Sequence, residues 1–275
     1  MPRIATLQTT CVVGDVEANV SQALLMLEQA GKAGADLAVL PECFATGIGE
    51  HLAETAEPIP GSSADRLCEA ADAHDMWIVA GMAEKTDAGI ANTALVIAPG
   101  GEIRATYHKR FLYMQEADAF IRGDEGLVVD MGFVTAGIAI CYDYIFPEYI
   151  RALVDQGARL IIHPTAWVTT DIGEQWHYDA AECYRAQCRV RALENGVYFI
   201  SADHGGEAYD PGGYLRPVGN SCVIAPWGQV LGGMGLGPGI AVVEVDFDAI
   251  DGWTAAAAPY LHDYQTVPVP PVSRV

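Results

Sequence analysis

The sequence predicts an α/β fold with mixed sheets, on three observations. Short apolar runs of strand length alternate with amphipathic segments of helix length along the chain. Two segments set a Pro-Gly-Gly or Pro-Trp-Gly turn between strand-like arms, in corresponding places of two halves. No linker rich in Gly, Ser or Pro divides those halves, so residues 1–275 are expected to share one core as a single domain.

In order, IATLQT reads as a buried strand, residues 17–32 as an amphipathic helix, DLAVLPE as a strand, residues 63–74 as a second helix and MWIVAGMAEK as a strand. ANTALVIAPGGEIRATYHKR then forms a β-hairpin, whose antiparallel arm makes the sheet mixed. The second half repeats the theme: FVTAGIAI as strand, PEYIRALVDQGA as helix with its proline in the first turn, and RLIIHPTAW as strand. Residues 174–195 read as a long helix, VYFISAD as strand and GNSCVIAPWGQVLGG as the second hairpin. The prolines at 259, 268, 270 and 271 mark residues 259–275 as an extended C-terminal tail lying over the domain or a neighbouring subunit.

A formal net charge of −21, from 36 acids against 15 lysines and arginines, repels nucleic-acid phosphates and anionic lipid. Neither nucleic acid nor membrane is therefore expected as a partner, and every apolar run stops short of the ~18 residues of a membrane span. MPRIATLQTT lacks an apolar signal region with a small-residue cleavage site, so the N-terminus reads as mature and the location as cytoplasmic. Seven scattered cysteines, with no C-x-x-C pair or zinc-type spacing, predict neither a disulfide framework nor a metal site.

Three residues stand out chemically. Cys141, in GIAICYDYIFPE, follows a strand-like run and precedes a Pro-Glu helix start, so its thiol is expected near a helix N-terminus. There the partial positive charge favours thiolate, and the Tyr142 amide would point at an oxyanion; an arbitrary cysteine at a strand end is more often a small buried hydrophobe. A nucleophilic cysteine needs a base, and no histidine shows a pairing signature, which leaves carboxylate. Glu42 leaves the second strand, where α/β clefts form, although a lone acid there is more often solvated. Lys109, one of only three lysines, ends the first hairpin; it is either an ordinary surface base or a buried ammonium between two carboxylates, with Glu116 as the second acid.

Together these residues resemble the nitrilase superfamily of carbon–nitrogen hydrolases, whose catalytic set is Glu, Lys and Cys with a second Glu. The matching segments are LPECFATG with Glu42, YHKRFLYMQEADAFIRG with Lys109 and Glu116, and CYDYIFPE with Cys141. EPIPG before the second helix, ANTALVIAPGGEI, RALEN and GNSCVIAPWGQVL agree as well, in the right order over nearly the whole chain. The resemblance implies a four-layer α-β-β-α sandwich, a homodimer or higher homo-oligomer, no metal or organic cofactor, and a small-molecule amide substrate. It also implies roles: Glu42 takes the thiol proton, Cys141 attacks an amide carbon to give a thioester, Lys109 and the Tyr142 amide hold the oxyanion, and Glu116 orients Lys109.

Departures from the family pattern shape the substrate expectation. Nitrile-hydrolysing branches carry Trp-Glu after the nucleophile; Tyr142-Asp143 resembles the amidase and carbamoylase branches. Relatives that bind a substrate carboxylate often have arginine where this chain has Tyr144 and Ile145, and without that fork bidentate carboxylate recognition is lost. A small neutral or cationic amide is expected, with an N-carbamoyl amine or acyl transfer to an amine as alternatives and a non-catalytic binding module as a third class. His163, Trp167, Tyr144 and Ile145 are expected to touch substrate, with packing at the strand end as the alternative for Trp167; His177 and Tyr178 are weaker candidates. Asp143 and Glu148 are expected to be structural.

Overall fold

In the computed structural model of the protein, which describes residues 1–169, 175–206, 216–268, 270–271 and 273–274, the apolar runs are strands covered on both faces. In β1 (Arg3–Gln8) Ile4 joins one hydrophobic cluster while Ala5 and Leu7 join another. In β2 (Leu37–Val39) Leu37 and Val39 part from Ala38 in the same way. Successive side chains of a strand point to opposite faces, so a run without polar residues folds only where both faces are buried.

The first sheet adds β3 (Trp77–Thr86), β4 (Gly89–Ile97), β5 (Ile103–His108) and, from far along the chain, β14 (Gly239–Glu244). Its order is β14-β1-β2-β3-β4-β5, with β1, β2 and β3 parallel and the remainder antiparallel. The second sheet consists of β6 (Leu127–Asp130), β7 (Thr135–Ile138), β8 (Leu160–Pro164), β10 (Tyr198–Ala202), β12 (Cys222–Ile224) and β13 (Val230–Gly233). Its order is β13-β12-β10-β8-β7-β6, with β7, β8 and β10 parallel. Short β9 (Val168–Thr169) and β11 (Arg216–Pro217) pair separately. The inner faces of the two large sheets share one cluster, in which Ile4, Val39, Val79 and Val96 meet Ile138, Ile162, Ile200 and Val223. Each such side chain contributes roughly 1.5–3 kcal/mol by leaving water.

Helices cover the outer faces. α1 (Val16–Lys32) buries Val20, Ala23, Leu27 and Ala30. After short α2 (Leu52–Thr55), α3 (Ser62–His74) buries Ala64, Leu67 and Ala71 against the same cluster. After short α4 (Glu116–Ala119), α5 (Pro147–Asp155) and α6 (Ala180–Asn195) cover the second sheet through Ile150, Leu153, Tyr184, Cys188 and Ala192. These are the three- and four-residue spacings of a single helix face. The result is the four-layer α-β-β-α sandwich with mixed sheets. Asp15 and Asp179 cap α1 and α6 by accepting the Ala18 and Glu182 amides at 3.1 and 2.8 Å. Both hairpins form as predicted; in the first, Gly100 and Gly101 take φ of +86° and +78°, a conformation costly to side chains with a Cβ.

Three expectations need correction. The long helix begins at Ala180, because Asp179 caps it; the expected start at Glu174 lies outside the described residues. The strand through RLIIHPTAW ends at Pro164, and Thr165–Trp167 turn out of the sheet toward the site. The tail is not wholly extended: beyond α7 (Ala249–Ala257), residues Tyr260–Thr266 form α8. Pro259 stands just before its first turn, where a missing N–H breaks no helical bond, and the other prolines come after its end. α8 lies across α5 and α6, with Tyr260 Oη donating to Leu193 O at 2.6 Å and Arg151 stacked over Tyr264. No helix among the described residues is long and apolar enough to cross a membrane.

Candidate active site

Cys141 stands where β7 runs out of sheet partners. Ala139 N still donates to Ile162 O at 3.0 Å, and the chain then folds into a 3-10 turn, Cys141–Ile145. Cys141 takes φ of +43°, in the left-handed region that side chains with a Cβ rarely adopt. Asp143 holds this elbow. Its Oδ2 accepts from Ile140 N at 2.8 Å and Tyr107 Oη at 2.7 Å, and its Oδ1 accepts from Phe111 N at 2.8 Å. Burial pushes its carboxyl up to about 6 against these donors. Asp143 is thus structural, while Glu148 is exposed in the first turn of α5. The thiol heads the 3-10 turn rather than α5, which begins only at Pro147.

Glu42 follows the end of β2, and β3 fixes its main chain. Gly81 N donates to Pro41 O at 3.1 Å and Phe44 N to Gly81 O at 3.0 Å. A Cβ on Gly81 would lie 2.4 Å from Glu42 Cα, so only glycine permits this approach. The fully buried carboxylate accepts from Lys109 Nζ and Asn92 Nδ2 on Oε1, both at 2.7 Å, and from Ala166 N on Oε2 at 2.8 Å. The Cys141 side chain lies beside this carboxylate and helps to keep it ionised. Lys109, also fully buried, donates to both Glu116 oxygens at 2.9 and 2.8 Å. Glu116, at the start of α4, accepts Tyr113 N as well, at 2.8 Å. Antiparallel pairing of β4 with β5 sets Asn92 beside Lys109, whose amide donates to Asn92 O at 2.8 Å.

Burial alone would discharge Lys109, but Glu42, Cys141 and Glu116 outweigh it and hold the ammonium well above its ordinary range. Burial would likewise raise Glu42; the charge of Lys109 and the bonds from Lys109, Asn92 and Cys141 bring it below the usual carboxylate range. Glu116 is raised, by burial and by the neighbouring Glu42 charge. Burial, then Glu42, pushes the Cys141 thiol well above its ordinary value, and Lys109 and Thr165 pull it down without reversing this. The resting sulfur is therefore a thiol, contrary to the expectation of a helix-stabilised thiolate. An ionised carboxylate beside that thiol is suited to accept its proton.

Of the other predicted residues, Tyr142 is half-buried, its ring 5.1 Å from that of Tyr113. Trp167 is partly buried, edge-on to Tyr144 at 5.2 Å, and its amide donates to Asp203 Oδ1 at 3.0 Å. Tyr178 lies beside Trp167 and Tyr113, while His177 is exposed. His163 is not at the surface of the site: it is fully buried, with Nδ1 on Ser201 Oγ at 2.7 Å and Nε2 on Cys141 O at 2.9 Å. Its expected substrate contact is thereby corrected, since neither ring nitrogen is free. Tyr144 is also fully buried, and Arg191 holds its carbonyl and that of Ile145 from Nε at 2.6 Å and Nη2 at 3.1 Å. Tyr144 and half-buried Ile145 thus belong to the packing below the elbow.

Sequence reasoning missed Asn92, Tyr107 and His204, the last placing Nε2 2.8 Å from Glu42 O. An asparagine inside an apolar strand was the available signal for Asn92; the histidine showed none. Among the described residues no group of three or more His, Cys, Asp or Glu side chains is arranged to hold a metal ion.

The family model for carbon–nitrogen hydrolases matches residues 3–255. A nitrilase of Pyrococcus abyssi (strain GE5 / Orsay) is 35% identical over 238 residues, covering 84% of this chain and 84% of that protein. The omega-amidase of Homo sapiens is 30% identical over 239 residues, covering 83% of each. Among solved structures, an amidase from Nesterenkonia sp. AN1 matches with a TM-score of 0.79 and 28% identity, covering 96% of this chain and 100% of that one. One mutant of that amidase carries the acetamide moiety of fluoroacetamide on its active-site cysteine, and another mutant is seen in complex with butyramide.

Proposed function

The chain belongs to the carbon–nitrogen hydrolase family, and we propose that it hydrolyses a small neutral or cationic amide through a thioester on Cys141. The observation that carries this reading is the buried cluster itself: the Cys141 thiol beside Glu42, with Lys109 Nζ 2.7 Å from Glu42 and 2.8 Å from Glu116. Glu42 accepts the thiol proton as sulfur attacks the amide carbon. Lys109 and the Tyr142 N–H receive the charge that develops on the carbonyl oxygen. Glu42 then passes its proton to the nitrogen, ammonia or an amine leaves, and water activated by the same carboxylate releases the acid and restores the thiol. Glu116 keeps Lys109 charged and aimed.

The substrate class follows from what surrounds the cluster. With both carboxylates ionised, two negative charges face one ammonium, a surplus that disfavours a further carboxylate on the substrate. Arg191, which reaches the segment after Cys141, is committed to main-chain carbonyls and to Glu194 Oε1 at 2.7 Å. The same reading has the protein pair through α5 and α6, where Val190 and Leu193 are exposed; light scattering should return twice the chain mass of 29.3 kDa.

Intact-protein mass spectrometry of wild type and Cys141→Ala with neutral amides, carbamoyl amines and carboxylate-bearing amides, with ammonia followed in parallel, tests the reading. An acyl-sized adduct on wild type only, with ammonia release, supports it. Turnover surviving in Cys141→Ala, or kcat/KM highest for a free-carboxylate amide, overturns the nucleophile or the substrate class. Product trapped as a new amide when an amine is added would mark acyl transfer instead.

A further inference from the structure

We propose that a buried chain of side chains, Tyr184 to Ser201 to His163, orients and polarises the Cys141–Tyr142 peptide so that its N–H serves the oxyanion. Tyr184, Ser201 and His163 would then be positioning residues that never touch substrate. The inference rests on the reading above in which the Tyr142 amide receives the oxyanion.

The geometry fixes where each proton sits. Cys141 O only accepts, so His163 Nε2, 2.9 Å away, must be the protonated nitrogen. The imidazole is neutral, because burial holds its pKa down at about 4; Nδ1 is then an acceptor. Ser201 Oγ, 2.7 Å from Nδ1 and 3.3 Å from His163 O, gives its one proton to the nearer Nδ1, and is left to accept from Tyr184 Oη at 2.6 Å. All three side chains are fully buried, and Tyr144 stacks on the imidazole at a centroid distance of 4.6 Å. The tautomer and ring plane therefore have no freedom.

What the imidazole grips is a carbonyl, and its peptide partner is the Tyr142 N–H. In a trans peptide the N–H points opposite the C=O, so pinning the Cys141 carbonyl toward His163 aims the Tyr142 N–H the other way. A bond accepted by the carbonyl also draws electrons from the peptide nitrogen and strengthens its donor, the cooperativity of hydrogen-bonded chains. Cys141 needs such a grip because its backbone lies at φ of +43°. A histidine that merely filled the core would not need to meet the one peptide whose orientation the chemistry uses.

The test separates sulfur placement from oxyanion support. Wild type, Ser201→Ala, His163→Leu and His163→Gln are compared in alkylation by iodoacetamide and in ammonia release from butyramide. Alkylation breaks a carbon–iodine bond and builds no oxyanion, so it reports the thiol alone. Ser201→Ala leaves the main-chain Ser201 O that accepts from Thr6 Oγ1 at 2.7 Å, and so spares the contact between sheets. Ser201→Ala and His163→Leu should lower kcat about 10–100-fold with KM and alkylation unchanged. His163→Gln, which keeps a donor near Nε2, should recover most of the loss. Equal losses in alkylation and turnover would reduce the chain to a structural role, and unchanged turnover would overturn the proposal. Independently of any substrate, the Tyr142 amide, labelled with nitrogen-15 after carbon-13 cysteine and identified by its loss in Cys141→Ala, should shift upfield in Ser201→Ala. An unmoved signal refutes the polarisation. Turnover persisting in Cys141→Ala would instead sink the underlying assignment of the nucleophile.

Discussion

Glu42→Gln isolates the base with almost no change of shape. Oε1 accepts two donors, Lys109 Nζ and Asn92 Nδ2, and Oε2 accepts Ala166 N, with the Cys141 side chain beside the carboxylate. An amide offers one acceptor atom and one donor group, so one orientation must be chosen. Turning the NH2 toward Lys109 and Asn92 opposes two nitrogen donors, an ammonium among them. Turning it toward Ala166 opposes only one N–H, and this orientation wins. The loss of one buried bond and one unsatisfied N–H costs about 1–3 kcal/mol of stability. Lys109 keeps Glu116 and stays charged, so the variant should fold. Its sulfur has no acceptor for the proton, and a positioned base contributes roughly 10²–10⁴ in rate, or about 3–5 kcal/mol of barrier. Ammonia release at saturating amide, with the unfolding midpoint in urea measured on the same preparation, checks both numbers. A folded Glu42→Gln that kept more than about a tenth of wild-type kcat would refute the role of Glu42 as the base, because a positioned base typically contributes at least about a hundredfold.

Two further outcomes follow from the same geometry. Asp143 binds its proton more tightly in the folded chain, at about 6 against an ordinary 3.8. Its contribution to stability is complete below the lower value and is lost as pH rises through the higher one, a change of about 3 kcal/mol. Asp143→Asn does not titrate, so the advantage of wild type over this variant in urea unfolding should shrink between pH 4 and pH 7; a pH-independent difference would refute the raised value. Gly81→Ala sets a Cβ 2.4 Å from Glu42 Cα and 2.5 Å from Pro41 O, both main chain, so β2 and β3 must part and the base must move. A kcat loss of about 100-fold with Cys141 still alkylated is expected, and wild-type kcat would show that Glu42 tolerates displacement.

The sequence by itself determined the α/β alternation and the candidate residues, while the four layers and the candidate roles came from the resemblance of its motifs to the family. Alternating faces in β1 and β2, the helix-face spacing of α1 and α6, and the two glycine turns are local consequences of side-chain period and backbone sterics, readable without any partner segment. Glu42, Lys109, Glu116 and Cys141 were legible because each sits in a short stretch of unusual chemistry at an element's end. Tertiary structure alone decided their state. The thiol reads from sequence as thiolate-prone, yet burial beside Glu42 raises it, since desolvation depends on neighbours far away in the chain. His163 reads as a pocket residue and is instead bonded beneath the elbow, because parallel pairing of β7, β8 and β10 brings Ile138, Ile162 and Ile200 abreast and Ser201 beside His163. Asn92 escaped notice for the same reason: its partner Glu42 lies fifty residues away, beyond the intervening strand β3, a proximity that only folding creates. Local patterns encode which groups are present and on which element, whereas charge state and hydrogen-bond partner are set by distances that no spacing in the chain records.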